Sequence, residues 1–188
     1  MTGLLNVPPS PPTEVFATFV GVLDQGATQR LFTGLSAAIQ GGVAHLHLLM
    51  QSTGGYAGEG VVLYNFFRAL PIDLTIYNCG SISSAAVIAY LGTKKRKVST
   101  YAAFAVHRTQ TSLQAANAGR FQSVAQGMAV DDKRTEAILR KHVTLSDEQW
   151  RFHDISDVWL TAEEAVRCGL ADEIAEFKPT AVSKVFAV

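Results

Sequence analysis

Three apolar runs, each followed by a polar or glycine-marked turn and then a segment of helical periodicity, constrain this chain more than any other feature. Val15 to Leu23 (VFATFVGVL) is β-branched and aromatic, and Asp24 then caps a stretch whose Leu31, Leu35, Ala38 and Ile39 recur at helical spacing. Gly41-Gly42 end that helix, and Ala44 to Met50 (AHLHLLM) is a second strand. The turn Gln51-Ser52-Thr53-Gly54-Gly55 leads into a helix from about Glu59 to Leu70, which Pro71 ends. A third strand, Asp73–Cys79, is broken by Gly80, and small residues from Ser83 to Ala89 open another helix. Strand–helix order repeated three times predicts βαβ units, a parallel sheet and right-handed crossovers.

Past Gly92 the pattern changes. Short strands are expected near Lys97–Thr100 and Ala103–Val106, the second ending at His107. A long helix follows from about Ala118 to Lys141, with Phe121, Val124, Met128, Ile138 and Leu139 as its apolar face. Ser146-Asp147-Glu148-Gln149 and Thr161-Ala162-Glu163-Glu164 read as capping boxes, and Gly169 closes the second helix. Residues 1–14 carry four prolines and read as an extended or disordered, flexible arm, 15–174 as one domain, and 175–188 as a tail without clear pattern.

With 188 residues there is room for one sizeable core. Lys+Arg and Asp+Glu balance at 16 each, so no long-range field recruits nucleic acid or an anionic membrane. The basic run Lys94-Lys95-Arg96-Lys97 reads as a solvated turn. A charged fraction of only 17% fits a surface partly buried against other subunits. Cys79 and Cys168 sit at no metal-like spacing and are expected to be reduced thiols. The N-terminus lacks a basic-then-apolar leader and no apolar stretch reaches membrane-spanning length, so a cytoplasmic protein is expected. His45 and His47 share one strand face, but no carboxylate or thiol accompanies them at ligand spacing, so no metal and no cofactor are expected.

Reacting groups in an open α/β sheet collect at the carboxyl ends of strands. Ser84 follows the turn at Gly80 and starts a helix among small neighbours, where its hydroxyl can project and the helix N-terminus favours developing negative charge. The amides of Gly55 and Ala85 are candidate oxyanion donors. His107, at a strand end, is a candidate base, and Asp157, just before Val158-Trp159-Leu160, a candidate for orienting it. Taken singly, each residue also fits a plain structural role: a helix-start serine, a core histidine, a capping aspartate.

At these residues the chain resembles the proteolytic subunit of the Clp protease, from about Val15 to Ile174. Gln51-Ser52-Thr53-Gly54-Gly55 is similar to that family's Asn-Ser-Pro-Gly-Gly loop, and Cys79-Gly80-Ser81-Ile82-Ser83-Ser84-Ala85-Ala86 to its nucleophile segment. His107 falls where the family's base ends a strand. Ser156 to Ala165, with Gly169-Leu170-Ala171-Asp172, resembles its aspartate-containing signature. Gly55 and Ser84 are 29 residues apart and His107 and Asp157 are 50, both near the family's intervals. The resemblance implies an α/β fold of the Clp-protease/crotonase type, a βαβ-repeat head with a protruding long-helix handle. It further implies a serine endopeptidase using Ser84, His107 and Asp157, heptameric rings stacked in pairs, and unfolded polypeptide delivered by a separate AAA+ Clp ATPase. No G-x-x-x-x-G-K-[ST] loop occurs, so ATP use would belong to that partner. Thr53, Ser156 and Arg108-Thr109 depart from the family's proline, arginine and Gln-Pro. Two other readings stand beside this one: an acyl-CoA enzyme of the crotonase fold, and a non-catalytic ring subunit.

Overall fold

The computed structural model describes residues 14–115, 117–180, 183 and 185–188. Of the proline-rich arm only Glu14 lies among them, already in a strand. The βαβ expectation holds. Strand β1 (Glu14–Val20) leads through α1 (Gln25–Gln40) to β2 (His45–Ser52), then through α2 (Ala57–Ala69) to β3 (Asp73–Ser83) and α3 (Ala85–Tyr90). Both β1–β2 and β2–β3 are parallel, and Glu14 sits opposite His45 in the register. Asp24 caps α1 as its side chain accepts from the Ala27 amide at 2.7 Å.

Gly80 does not end β3, contrary to the expectation. The strand runs on to Ser83 because it changes neighbours part-way. Thr75–Asn78 pair with β4 (Lys95–Val98), and Ser81–Ser83 pair with β5 (Ala103–Val106). Asn78, wholly buried, stitches the handover: its amide donates to the Ala103 carbonyl at 2.8 Å and its oxygen accepts from the Gly80 N–H at 3.1 Å. All of the basic run but Lys94 is likewise strand β4 rather than a turn. Its strand side chains are paired, Lys95 with Asp73 at 2.8 Å, Arg96 with Asp172 at 2.6 Å and Lys97 with Glu173 at 2.9 Å.

Helix α4 (Ala118–His142) follows, then α5 (Asp147–His153), β6 (Val158–Thr161), α6 (Ala162–Arg167), β7 (Glu173–Ile174) and β8 (Val185–Ala187). Both predicted capping boxes are present, at Ser146/Gln149 and Thr161/Glu164. Gly169 takes φ +82°, the left-handed conformation that closes α6. Two strands escape periodicity: β7, at the end of the 15–174 domain, lies beside β4, and β8, in the tail, along β1. The eight-stranded sheet has the order β6-β5-β3-β2-β1-β8, with β4 beside the lower half of β3, β7 beyond β4, and β5–β6 antiparallel. Phe19, Leu48, Met50, Ile76, Ile82, Tyr90, Phe104 and Leu160 are fully buried in the core. Helix α4, 25 residues and about 37 Å long, buries only Leu139 near its end. It is the expected handle.

Two helical glycines separate packing from propensity. A Cβ on Gly60 of α2 would run into the Ala85 carbonyl where α2 crosses the start of α3, whereas one on Gly127 of α4 would meet nothing within 4 Å. Replacing helical glycine by alanine gains up to about 1 kcal/mol when space allows. Gly127→Ala is therefore expected to raise the denaturation midpoint. Gly60→Ala should lower it despite the same propensity gain, because backbone must move. Chemical denaturation of both variants checks the pair.

Candidate active site

The carboxyl ends of β2 and β3 present two turns side by side. The first, Gly54-Gly55, is held by Leu23, whose N–H donates to the Gly54 carbonyl at 2.7 Å and whose carbonyl accepts from Tyr56 at 3.0 Å. Neither bond uses the Gly55 N–H. Both glycines have positive φ (93° and 154°), and a Cβ on Gly55 would collide with the Leu23 backbone. Thr53 sits in this turn where the resemblance calls for proline, and the extended turn forms all the same.

The second turn carries Ser84, whose φ of 56° and ψ of −131° make it the one positive-φ non-glycine among the described residues. Such a conformation costs of order 1–3 kcal/mol and persists only where the surroundings enforce it. Here the Ser84 N–H donates to the Ala105 carbonyl at 2.9 Å, extending the β3–β5 pairing by one residue before α3 begins. Ala85 is the first residue of α3, and helix geometry leaves its amide without a partner inside the helix. The two turns are pressed together: a Cβ on Gly54 would lie 2.6 Å from Ser84 Cβ and 2.8 Å from the Ser83 carbonyl oxygen.

Ser84, Ala85, Gly55 and His107 line one cleft of about 630 Å³. Val124, Gly127, Met128 and Leu139 of α4 wall its other side, so the handle's apolar face serves the cleft. Ser84 and His107 are half-buried. His107 directly follows β5, and its Nδ1 lies 2.6 Å from the carbonyl oxygen of Arg108. Asp157 directly precedes β6, and the pairing of Val106 with Val158 puts His107 and Asp157 next to each other in the register. Asp157 nevertheless lines a separate depression with Gln149, Phe152 and Trp159. The structure thus gathers four of the five sequence candidates in one cleft and sets the fifth beside it, with no hydrogen bond joining Ser84 to His107 or His107 to Asp157.

Sequence reasoning missed what holds the histidine loop. Arg108 reaches Asp154 at 2.6 Å, Glu136 at 3.4 Å and Asp132 at 3.5 Å, and the Thr109 N–H donates to Asp132 Oδ1 at 2.7 Å. The loop after β5 is thereby tied to α4 and to the end of α5. Buried beneath lies His153, whose pKa is pushed below the usual histidine value by burial and then by the Arg108 charge. Both cysteine thiols are pushed up by burial, which keeps them protonated and poor rivals to a serine nucleophile.

A parallel α/β sheet with a strained serine at its carboxyl edge, a histidine in the same cleft and free amides nearby belongs to the class that gathers reacting groups where strands end. The chain belongs to the Clp protease family, whose model matches residues 19–178. It is 32% identical over 129 residues to ATP-dependent Clp protease proteolytic subunit 4 of Rhodococcus jostii (strain RHA1), covering 68% of this chain and 66% of that protein. To ATP-dependent Clp protease proteolytic subunit 1 of Streptomyces avermitilis it is 25% identical over 142 residues, covering 72% of this chain and 65% of the relative. The matches therefore span just under two thirds of these relatives' length.

The contact between the two turns yields a prediction. Gly54→Ala has no room for its methyl unless the Ser84 turn moves, and a displacement near 1 Å at a reacting group costs about 100-fold in rate. Phosphonate labelling of Ser84 in Gly54→Ala is expected to slow by that order while circular dichroism stays native.

Proposed function

We propose that this chain is a serine endopeptidase, the proteolytic subunit of a Clp-type assembly, with Ser84 as nucleophile, His107 as base and Asp157 orienting the histidine. The observation that carries this is Ser84, held in a strained conformation in one cleft with His107 and the Gly55 and Ala85 amides. Family membership supports the reaction class. Ser84 Oγ attacks the scissile carbonyl carbon while His107 takes the hydroxyl proton. The oxyanion is received by the Gly55 and Ala85 N–H groups. The tetrahedral adduct collapses to an acyl-enzyme, His107 gives its proton to the departing amine, and water hydrolyses the ester by the same route.

For this, His107 must exchange the Arg108 carbonyl for the Asp157 carboxylate at Nδ1. That exchange favours a subunit whose site aligns on assembly. Several large apolar side chains are exposed in the isolated chain, including Tyr101 at 99%, Ile155 at 83% and Tyr56 at 71%, as a ring-forming subunit requires. We propose a heptameric ring taking unfolded polypeptide from a separate Clp ATPase in the cytoplasm. Among the described residues no helix is long and apolar enough to cross a membrane. No observation favours the acyl-CoA reading. A non-catalytic ring subunit is the second reading, favoured only by the unjoined His107 and Asp157.

The test is a fluorophosphonate probe with a fluorogenic peptide, applied to the purified assembly. Labelling is expected at Ser84, and Ser84→Ala should lose hydrolysis by several orders of magnitude with the fold intact. Hydrolysis that survives in Ser84→Ala would overturn the assignment, and an inert homo-oligomer that bears no label would favour the non-catalytic reading.

A further inference from the structure

At the opposite end of the sheet, where the strands begin, the parallel register brings together three groups that lie far apart in sequence. β1 opens on Glu14 directly beside His45 of β2, and His47 follows on the same face. His47 Nε2 lies 2.6 Å from Glu14 Oε1, and the two imidazole centroids are 4.1 Å apart. One ligand atom from each of the three residues falls within 4.8 Å of the others. The carboxylate that sequence spacing does not reveal is supplied by the neighbouring strand.

We propose that Glu14, His45 and His47 form a binding site for a divalent transition metal ion of the zinc type. Two imidazoles and a carboxylate suit zinc, and three protein ligands leave one position open for water or another donor. Tetrahedral coordination with bonds near 2.1 Å sets ligand atoms about 3.4 Å apart, so the 2.6 Å contact between His47 and Glu14 opens and the wider spacings, all within 4.8 Å, close onto the ion. The surroundings resemble the outer shell of a metal site. Tyr77 Oη meets His47 Nδ1 at 3.0 Å and Thr75 Oγ1 meets His45 Nε2 at 2.8 Å, so each ring has one nitrogen held by a hydroxyl. The other nitrogens, Nε2 of His47 and Nδ1 of His45, are the ligand atoms. When the ion replaces the proton between His47 Nε2 and Glu14, that proton moves to Nδ1, which then donates to Tyr77 Oη. Phe16 stacks on His47 at 4.6 Å and 10°, a dry wall that fixes the ring plane.

Lys94 to Lys97 line the same hollow as the two histidines, but Lys95, Arg96 and Lys97 are paired with Asp73, Asp172 and Glu173, which leaves the Glu14 carboxylate for the ion. The site lies at the other end of the strands from Ser84, and its occupancy is independent of the peptidase reading.

Zinc titration calorimetry on the full chain, with Co²⁺ as a spectroscopic substitute, tests the proposal. One ion per chain and the intense visible bands of four-coordinate Co²⁺ are expected. Glu14→Gln, at a side chain that is 55% exposed, should weaken binding by about tenfold or more, and His47→Ala by more. Loss of binding in Glu14→Gln with unchanged melting supports the site even if His47→Ala folds poorly. Wild-type chain that takes up no stoichiometric Zn²⁺, or Glu14→Gln that binds as tightly as wild type, would overturn it.

Discussion

The site depends on the handover within β3. A strand that paired with the same neighbours along its whole length would deliver Ser84 to the edge in an ordinary extended conformation. Here the lower half lies between β2 and β4 and the upper half between β2 and β5, with Asn78 bonding across the change. The last link of the β5 pairing, Ser84 N–H to Ala105 carbonyl, arrives just as α3 must start, and φ is forced positive. Gly54 then packs against the back of that turn at a distance no side chain allows. Sheet pairing on one side and glycine contact on the other hold the strain, consistent with strained residues at functional sites being over-determined by their surroundings.

Much of this was legible in sequence because it rests on local rules. Asp24, the two capping boxes and Gly169 act within a few residues, and each appears where its spacing places it. The βαβ order follows from apolar runs of strand length alternating with helical periodicity. Gly80 misleads because a glycine in a strand reads as a break, whereas here it marks a close approach to the Gln51 side chain of β2. The basic run misleads because charged residues suit a strand when they find carboxylates nearby, and those of Lys95, Arg96 and Lys97 come from residues 73, 172 and 173. β8 is invisible because three residues carry no period, and its place beside β1 is a tertiary fact.

The candidate site divides the same way. Ser84, Gly55, Ala85 and His107 stand at strand ends and turns that sequence marks, and all line one cleft. Asp157 is adjacent to His107 in register, yet the loop is braced by Arg108 through carboxylates on two helices. No local pattern announces that bracing, since its partners lie 24 to 46 residues away. The Glu14 carboxylate beside His45 and His47 is hidden for the same reason. The handle links these observations to function: α4 walls the cleft with Val124 and Met128 and anchors the Arg108 loop through Asp132 and Glu136. Contacts that the proposed ring would make on α4 would thus reach the loop that carries His107.

The most direct test of this account is a crystal structure of the phosphonylated assembly. The account predicts phosphorus on Ser84 Oγ, a phosphonyl oxygen within hydrogen-bond reach of the Gly55 and Ala85 amides, and His107 Nδ1 turned from the Arg108 carbonyl to Asp157. An adduct on another residue, or a phosphonyl oxygen facing away from both amides, would contradict it.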